Sequence, residues 1–269
     1  MEKQEFLEQY AEGKRDFIRI QLKQVDLKGV DLQGINLSQA DLTGTDLSEA
    51  NLSGSKLTQM KLSKALLVNT NLRQTECSSI QLDNADLQNA NFSEGILQSA
   101  NFTHSSLDRT CFSFANLACA NFTRAILEKS DLTNTDLRNA CLIEADLTSV
   151  NFSGADLTSA RLQGVHLKNT LFKGVNLNKV DLSGLDFTNI DLEGTDLQSA
   201  NLKGAILRGA NLERSILVGA NLIRAKLDRA NLKRANLTDV NLYGASVKDA
   251  DFSLAIMPDG KRYKAKTAV

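Results

Sequence analysis

Few residues of this chain could carry chemistry, and their spacing keeps them apart. Over 269 residues there are 2 histidines, His104 and His166, and 4 cysteines, Cys77, Cys111, Cys119 and Cys141. A zinc site needs four converging ligands, and a general base must sit within hydrogen-bond reach of its target. The cysteines lack Cys-x-x-Cys spacing, so they predict free, reduced thiols rather than a metal site or a disulfide scaffold. Aspartate is the reactive type with a regular period. Counting every fifth residue from Asp16 to Asp251 gives 15 Asp and 15 Asn among 48 positions. A carboxylate array of that kind could hold calcium or imitate nucleic-acid phosphates. Equal use of Asp and Asn points instead to a short carbonyl acceptor for a local backbone amide.

The positioning element follows from the residue after each Asp or Asn. From Phe17 to Phe252 every fifth residue is Leu or Phe, apart from Cys77 and Val247, and the frame never slips. Two positions earlier stands a small or β-branched residue. A period of five spirals around a helix, and in a continuous strand it alternates faces. It works only if the chain turns once per repeat. The small residue and the Leu/Phe centre then point inward, the Asp/Asn points outward, and the last two residues form the corner. Glycines at the second corner residue recur ten apart, as at Gly34, Gly44 and Gly54, or Gly154, Gly164 and Gly174. That parity fits a four-sided coil made of four repeats, hence 12 coils over 48 repeats. At about 4.8 Å per coil the column would run on the order of 58 Å.

Within this frame His104 is a corner residue and His166 replaces an Asp/Asn. They fall on different faces, about three coils apart, and form no dyad. Cys77 takes an inward centre. Phe92, Phe102, Phe112 and Phe122 alternate between two opposite inner faces and read as core. The coil on Leu177, Leu182, Phe187 and Leu192 carries bulky Val180, Leu185 and Ile190 at its small positions, so it is expected to bulge. Phe114 takes an outward corner and is a candidate partner contact.

Charge is balanced overall, with 31 Lys/Arg against 32 Asp/Glu, which excludes a strongly basic nucleic-acid binder. It is uneven along the chain. Residues 201–269 carry 13 basic and 6 acidic side chains. Arg208, Arg214, Lys226, Arg229, Lys233 and Arg234 fall on two adjacent sides and are candidates for docking an acidic partner.

A solenoid must manage its two open ends. Residues 1–15 predict a short capping helix through Phe6, Leu7, Tyr10 and Ala11, stopped by Gly13. Residues 16–253 form the repeat column. Residues 254–269 predict a cap of Leu254, Ile256 and Met257, a turn at Pro258-Asp259-Gly260 that sends the chain away, and a loose basic tail.

Runs such as Ala40-Asp41-Leu42-Thr43-Gly44, Ala50-Asn51-Leu52-Ser53-Gly54 and Ala210-Asn211-Leu212-Glu213-Arg214 resemble the pentapeptide-repeat family across residues 16–253. The resemblance implies an all-β fold, a right-handed quadrilateral parallel β-helix. The close Met257-Pro258-Asp259-Gly260 is similar to that of many cyanobacterial members. Some members imitate B-DNA in shape and charge and protect type II topoisomerases from quinolones; most have no assigned biochemistry. The expected function is a non-enzymatic scaffold for protein–protein interaction, with a DNA-mimicking gyrase modulator as the alternative. A filled column without insertions is expected to offer no catalytic pocket, and no cofactor or metal is expected. The partner is expected to be another protein, with no direct nucleic-acid contact and no membrane span, and a homodimer through a column end is compatible with the unpaired edges. No secretory signal opens the chain, so the expected location is the cytoplasm.

Overall fold

The computed structural model describes residues 2–263. One helix, α1 (Lys3–Ala11), precedes the repeats. Its Phe6 is buried edge-on against Phe17, with ring centroids 4.8 Å apart. The Tyr10 hydroxyl donates to the Gln33 carbonyl at 2.9 Å, tying α1 to the first coil. Gly13, at φ 99°, ends the segment.

From Asp16 onward the outward residue of each repeat pairs in parallel with the outward residue four repeats further on, as in Asp131 with Asn151. The coil therefore holds four repeats and makes four turns. Each side makes three backbone bonds to the next coil. Leu132 N–H donates to Asn151 O at 2.8 Å, Asn134 N–H to Ser153 O at 3.0 Å, and Asn151 N–H returns to Ser130 O at 3.0 Å. The Leu/Phe centres and the small residues fill the interior. Phe92 stacks on Phe112 at 5.3 Å and Phe102 on Phe122 at 4.8 Å, and the two stacks meet edge to face. Cys77 is buried, with its thiol 3.0 Å from the Thr75 hydroxyl.

All the corners share one backbone conformation, which corrects the glycine argument. Every second-corner residue from Arg19 to Leu254 has positive φ, and 35 of these 48 are not glycine. The ten-residue glycine spacing therefore marks no special corner; nothing in the structure explains it.

The ladder breaks at one place among the described residues. Where the coil side through residues 160–172 faces residues 181–191, eight consecutive rungs lack hydrogen-bond geometry, although Arg161 still pairs in parallel with Asp181 at one end. The amides left without their rung are those of Leu162, Gly164, Leu167, Asn169 and Phe172 on one lip, and of Asp181, Asp186 and Asp191 on the other. The pairings of His166 with Asp186 and of Leu171 with Asp191 are absent as well. The ladder holds on both flanks, at Ser159 N–H to Asn178 O (3.2 Å) and Gly174 N–H to Glu193 O (3.0 Å). Each lip also stays bonded to its outer neighbour, Leu147 N–H to His166 O at 3.0 Å and Phe187 N–H to Ile206 O at 2.7 Å. The result is a wedge-shaped seam.

Bulky inward side chains, aromatic centres among them, crowd both of its sides. Val165, Thr170 and Phe172 lie on one side of the seam, and Leu185, Phe187 and Ile190 on the other. The Phe172 and Phe187 rings meet across it at 6.0 Å. The backbone perimeter is fixed at four repeats, so excess interior volume is relieved by parting the coils. Coils lined by Ala200, Ala205, Ala210, Ala220 and Ala225 keep every rung. The expected bulge thus appears as an opening toward the preceding coil.

The C-terminal end departs from expectation in two ways. Leu254 sits at a corner and is exposed, so it covers nothing. The chain does not leave at Pro258 but doubles back. Ile256 pairs antiparallel with Arg262, Tyr263 N–H donates to Ala255 O at 2.8 Å, and the Tyr263 ring lies 5.7 Å from Phe252. The rest of the predicted tail, residues 264–269, lies outside the described residues.

Candidate interaction surface

The outward Asp/Asn column is a backbone device. In 29 of its 30 Asp/Asn residues, Oδ1 accepts from the amide two residues on. These Asx turns satisfy the first amide of each corner, and either side chain supplies the oxygen. Asn also links coils: Asn211 donates to Asp191 at 2.8 Å and Asn231 to Asn211 at 2.9 Å. Hydrogen bonds from Ser48 hold Asp46 below its ordinary value, and Arg138 does the same for Asp136 at 2.6 Å. Asp108 runs the other way: burial, then the neighbouring Glu128 charge, raises its pKa, and its Oδ1 has no hydrogen-bond partner.

The basic candidates lie where the repeat count places them, but most are paired within the chain. Arg214 reaches Glu193 at 3.3 Å, Arg234 reaches Glu213 at 3.7 Å, Arg208 reaches Asp228 at 3.5 Å and Lys233 reaches Asp251 at 3.2 Å. Each partner stands one coil up or down the column. A search of the sequence for opposite charges about four repeats apart would have found them. Among the described residues Lys226 and Arg229 make no ion pair and stand exposed. The free positive charge is therefore narrower than composition suggests.

Phe114 is 64% exposed, at φ 60°, on a corner between the Glu94 and Asn134 corners of the neighbouring coils. Cys119 is exposed, while Cys111 and Cys141 are half-buried. Among the described residues no group of three or more His, Cys, Asp or Glu side chains could hold a metal ion, and no helix is long and apolar enough to cross a membrane.

Two concave features were missed at the level of sequence. One is at the C-terminal end, where Leu242, Val247, Phe252 and Tyr263 line an apolar hollow of about 390 Å³. The other is the seam, a cleft of about 640 Å³ between Val165–Leu171 and Asp186–Asp191. An uninterrupted repeat frame thus still leaves a cleft. Val165 and Leu185, 9% exposed each, let the core reach solvent there. His166 stands on one lip and Asp186 on the other. Bulky residues at small positions are not a sufficient signal, since Ile20, Val25, Val30 and Ile35 form such a run in a coil that keeps every rung.

A family model described as pentapeptide repeats matches residues 20–59, 51–89, 85–118 and 215–253, with 8 copies. A second, described as a pentapeptide repeat region, matches residues 120–202 and 145–222. No curated protein matches the sequence. Among solved structures the chain is similar to HetL, a pentapeptide repeat protein involved in heterocyst differentiation regulation from the cyanobacterium Nostoc sp. strain PCC 7120. Identity is 33%, covering 98% of this chain and 100% of that one, at a TM-score of 0.30. A pentapeptide repeat protein of the Arabidopsis thaliana thylakoid lumen is 35% identical, over 41% of this chain and 70% of that one, at a TM-score of 0.31. QnrB1, a plasmid-mediated fluoroquinolone resistance protein, is 20% identical, over 66% of this chain and 89% of that one, at a TM-score of 0.49.

Proposed function

The chain belongs to the pentapeptide-repeat family, and from that premise we propose that it is a non-enzymatic scaffold of the cytoplasm that binds a protein partner on the outer faces of its column. The column is taken as right-handed, with about 12 four-sided coils. The observation that carries the reading is the fate of the outward carboxylates. Locked as backbone acceptors on ladder faces, they leave flat, preorganised surfaces on which little side-chain entropy is lost when a partner docks. The contact is assigned to the unpaired charges Lys226 and Arg229 and to the exposed ring of Phe114. Ion pairing of Arg208, Arg214, Lys233 and Arg234 makes them supports of the same sides rather than primary contacts.

The test is affinity capture from the source cell with wild-type protein, with Lys226→Glu/Arg229→Glu and with Phe114→Ser. A partner held by wild type and lost from the variants supports the reading; equal capture by all three sinks it. The topoisomerase alternative is separated by a gyrase supercoiling assay, with and without a quinolone. Protection by wild type that fails when Asp131, Asp136 and Asp146 are all changed to Asn would replace the scaffold reading with the DNA mimic. If two copies pair, this reading assigns the contact to the C-terminal end, with its exposed Val247, rather than to the helix-capped end. Sedimentation of Val247→Lys against wild type measures that directly.

A further inference from the structure

We propose that the seam is a binding slot for an extended peptide, which enters between the parted coils and completes the ladder. The site is separate from the outer faces assigned above, and it does not depend on which face a partner takes. Its lips are two strand edges facing each other, still paired at Arg161–Asp181 but with no pairing of His166 with Asp186 or of Leu171 with Asp191. Exposed strand edges are templates for another main chain.

The register of the empty rungs specifies how that chain would bind. In a closed pair of coils, Asp186 N–H would donate to Val165 O, and Leu167 N–H to Asp186 O, as the equivalent groups do one coil down. An inserted triplet running parallel to both lips meets all four of these groups. Its middle residue donates to Val165 O and accepts from Leu167 N–H. The carbonyl of its first residue accepts from Asp186 N–H, and the amide of its third donates to Asp186 O. A small molecule would have to reproduce this alternation on two opposed edges at once, whereas a main chain has it built in.

Side-chain direction then sets the sequence the slot accepts. The first and third residues point into the column, toward Val165, Leu167 and Ile190, so they must be apolar, and the first must be small in that crowded interior. The middle residue points out between His166 and Asp186, with Lys168 and Asp191 around the corners. Signs are mixed there, which favours an uncharged polar side chain over a charged one. The cleft volume of about 640 Å³ accommodates a short segment of this kind and lies within the roughly 300–1,000 Å³ usual for ligand sites. The slot therefore reads small apolar, polar amide or hydroxyl, aliphatic. That is the pattern of the chain's own Ala200-Asn201-Leu202.

The experiment uses the full-length protein and a dye-labelled peptide copying residues 199–203, Ser-Ala-Asn-Leu-Lys, with blocked ends. Expected are saturable binding by fluorescence anisotropy and slowing of amide exchange at Leu167 and Asp186 by about tenfold or more at saturation, the effect of one added hydrogen bond. The same peptide with an N-methylated asparagine cannot donate to Val165 O and should bind roughly tenfold more weakly. Leu185→Ala/Ile190→Ala, which lets the coils close, should lose the binding. Four results would each overturn the proposal. They are no saturable binding, binding without protection of those two amides, equal binding of the N-methylated peptide, and free-protein amides at Leu167 and Asp186 already as protected as those of Leu147 and Phe187. The last two need no variant protein, so a misfolded mutant cannot obscure the answer.

Discussion

Truncating Leu185 and Ile190 together should close the seam, and the free-energy balance makes this a sharp test of its cause. Each truncation of a buried aliphatic side chain removes about 3 kcal/mol of packing, or roughly 6 kcal/mol for the pair if the sites were independent. Closure restores hydrogen-bond geometry to eight backbone rungs that lack it in the native column. At a net of about 0.5–1 kcal/mol each, they return roughly 4–8 kcal/mol. The double variant should therefore lie within about 2 kcal/mol of wild type, while either single variant, too bulky still to close, loses most of its 3 kcal/mol. Leu132→Ala is the control: Leu132 is fully buried between Phe112 and Phe152 in a coil with every rung made, and it should cost about 3–5 kcal/mol with no compensation. Urea unfolding measures the energies, and hydrogen exchange at residues 162–172 and 181–191 reports closure. A double variant that shows the full additive penalty, with seam amides exchanging as fast as in wild type, would refute overpacking as the cause.

Other expectations concern the surface. Asp131→Asn and Asp146→Asn keep the oxygen that accepts from Thr133 and Thr148 and should change stability by no more than about 0.5 kcal/mol; Asp136→Asn also loses the Arg138 pair and should cost up to about 1 kcal/mol, all read by thermal melts. Asp136 has a lowered folded pKa, so its contribution is complete above the ordinary carboxylate value of 3.8 and is lost as pH falls through the folded value. Stability of Asp136→Asn should accordingly fall less steeply in acid than that of wild type. Asp108 is the opposite case: its raised pKa means ionisation at neutral pH opposes folding, and the opposition disappears as pH falls through the folded value. Asp108→Asn should thus stabilise the protein at pH 7 by up to about 0.5 kcal/mol, and a lower melting temperature would contradict the assignment. Phe114→Gly relieves a left-handed corner and should stabilise by up to about 1 kcal/mol; a destabilised variant would show that the exposed ring packs more than its surroundings suggest.

The fold was legible because a solenoid is made of local rules. Each residue meets only its own turn and the turns directly above and below it, so the five-residue pattern fixes inside and outside, and the stacked phenylalanines followed from counting. What escaped was whatever depends on two coils together. The bulk of Leu185 and Ile190 was visible, but the seam comes from their sum with Val165 and Phe172 one coil below. The ten-residue glycine spacing sets alternate corners apart, whereas corners bearing Arg19, Phe114 or Leu254 adopt the same conformation as the glycine ones. The basic side looked freer than it is, since Glu193 and Glu213 neutralise it from the neighbouring coil.

A coil of four equal sides also works as a gear. Duplicating one pentapeptide between α1 and the basic side would turn everything beyond it by a quarter revolution and advance it by about 1.2 Å, a quarter of the coil spacing. Duplicating four would restore the original azimuth one coil further along. The interior would read the same in every case, because the inward pattern repeats at each side. The bearing of Lys226 and Arg229 relative to the capped end is thus held by an integer, the number of repeats between them. Such a column can re-aim its contacts in discrete clicks with no new core to invent.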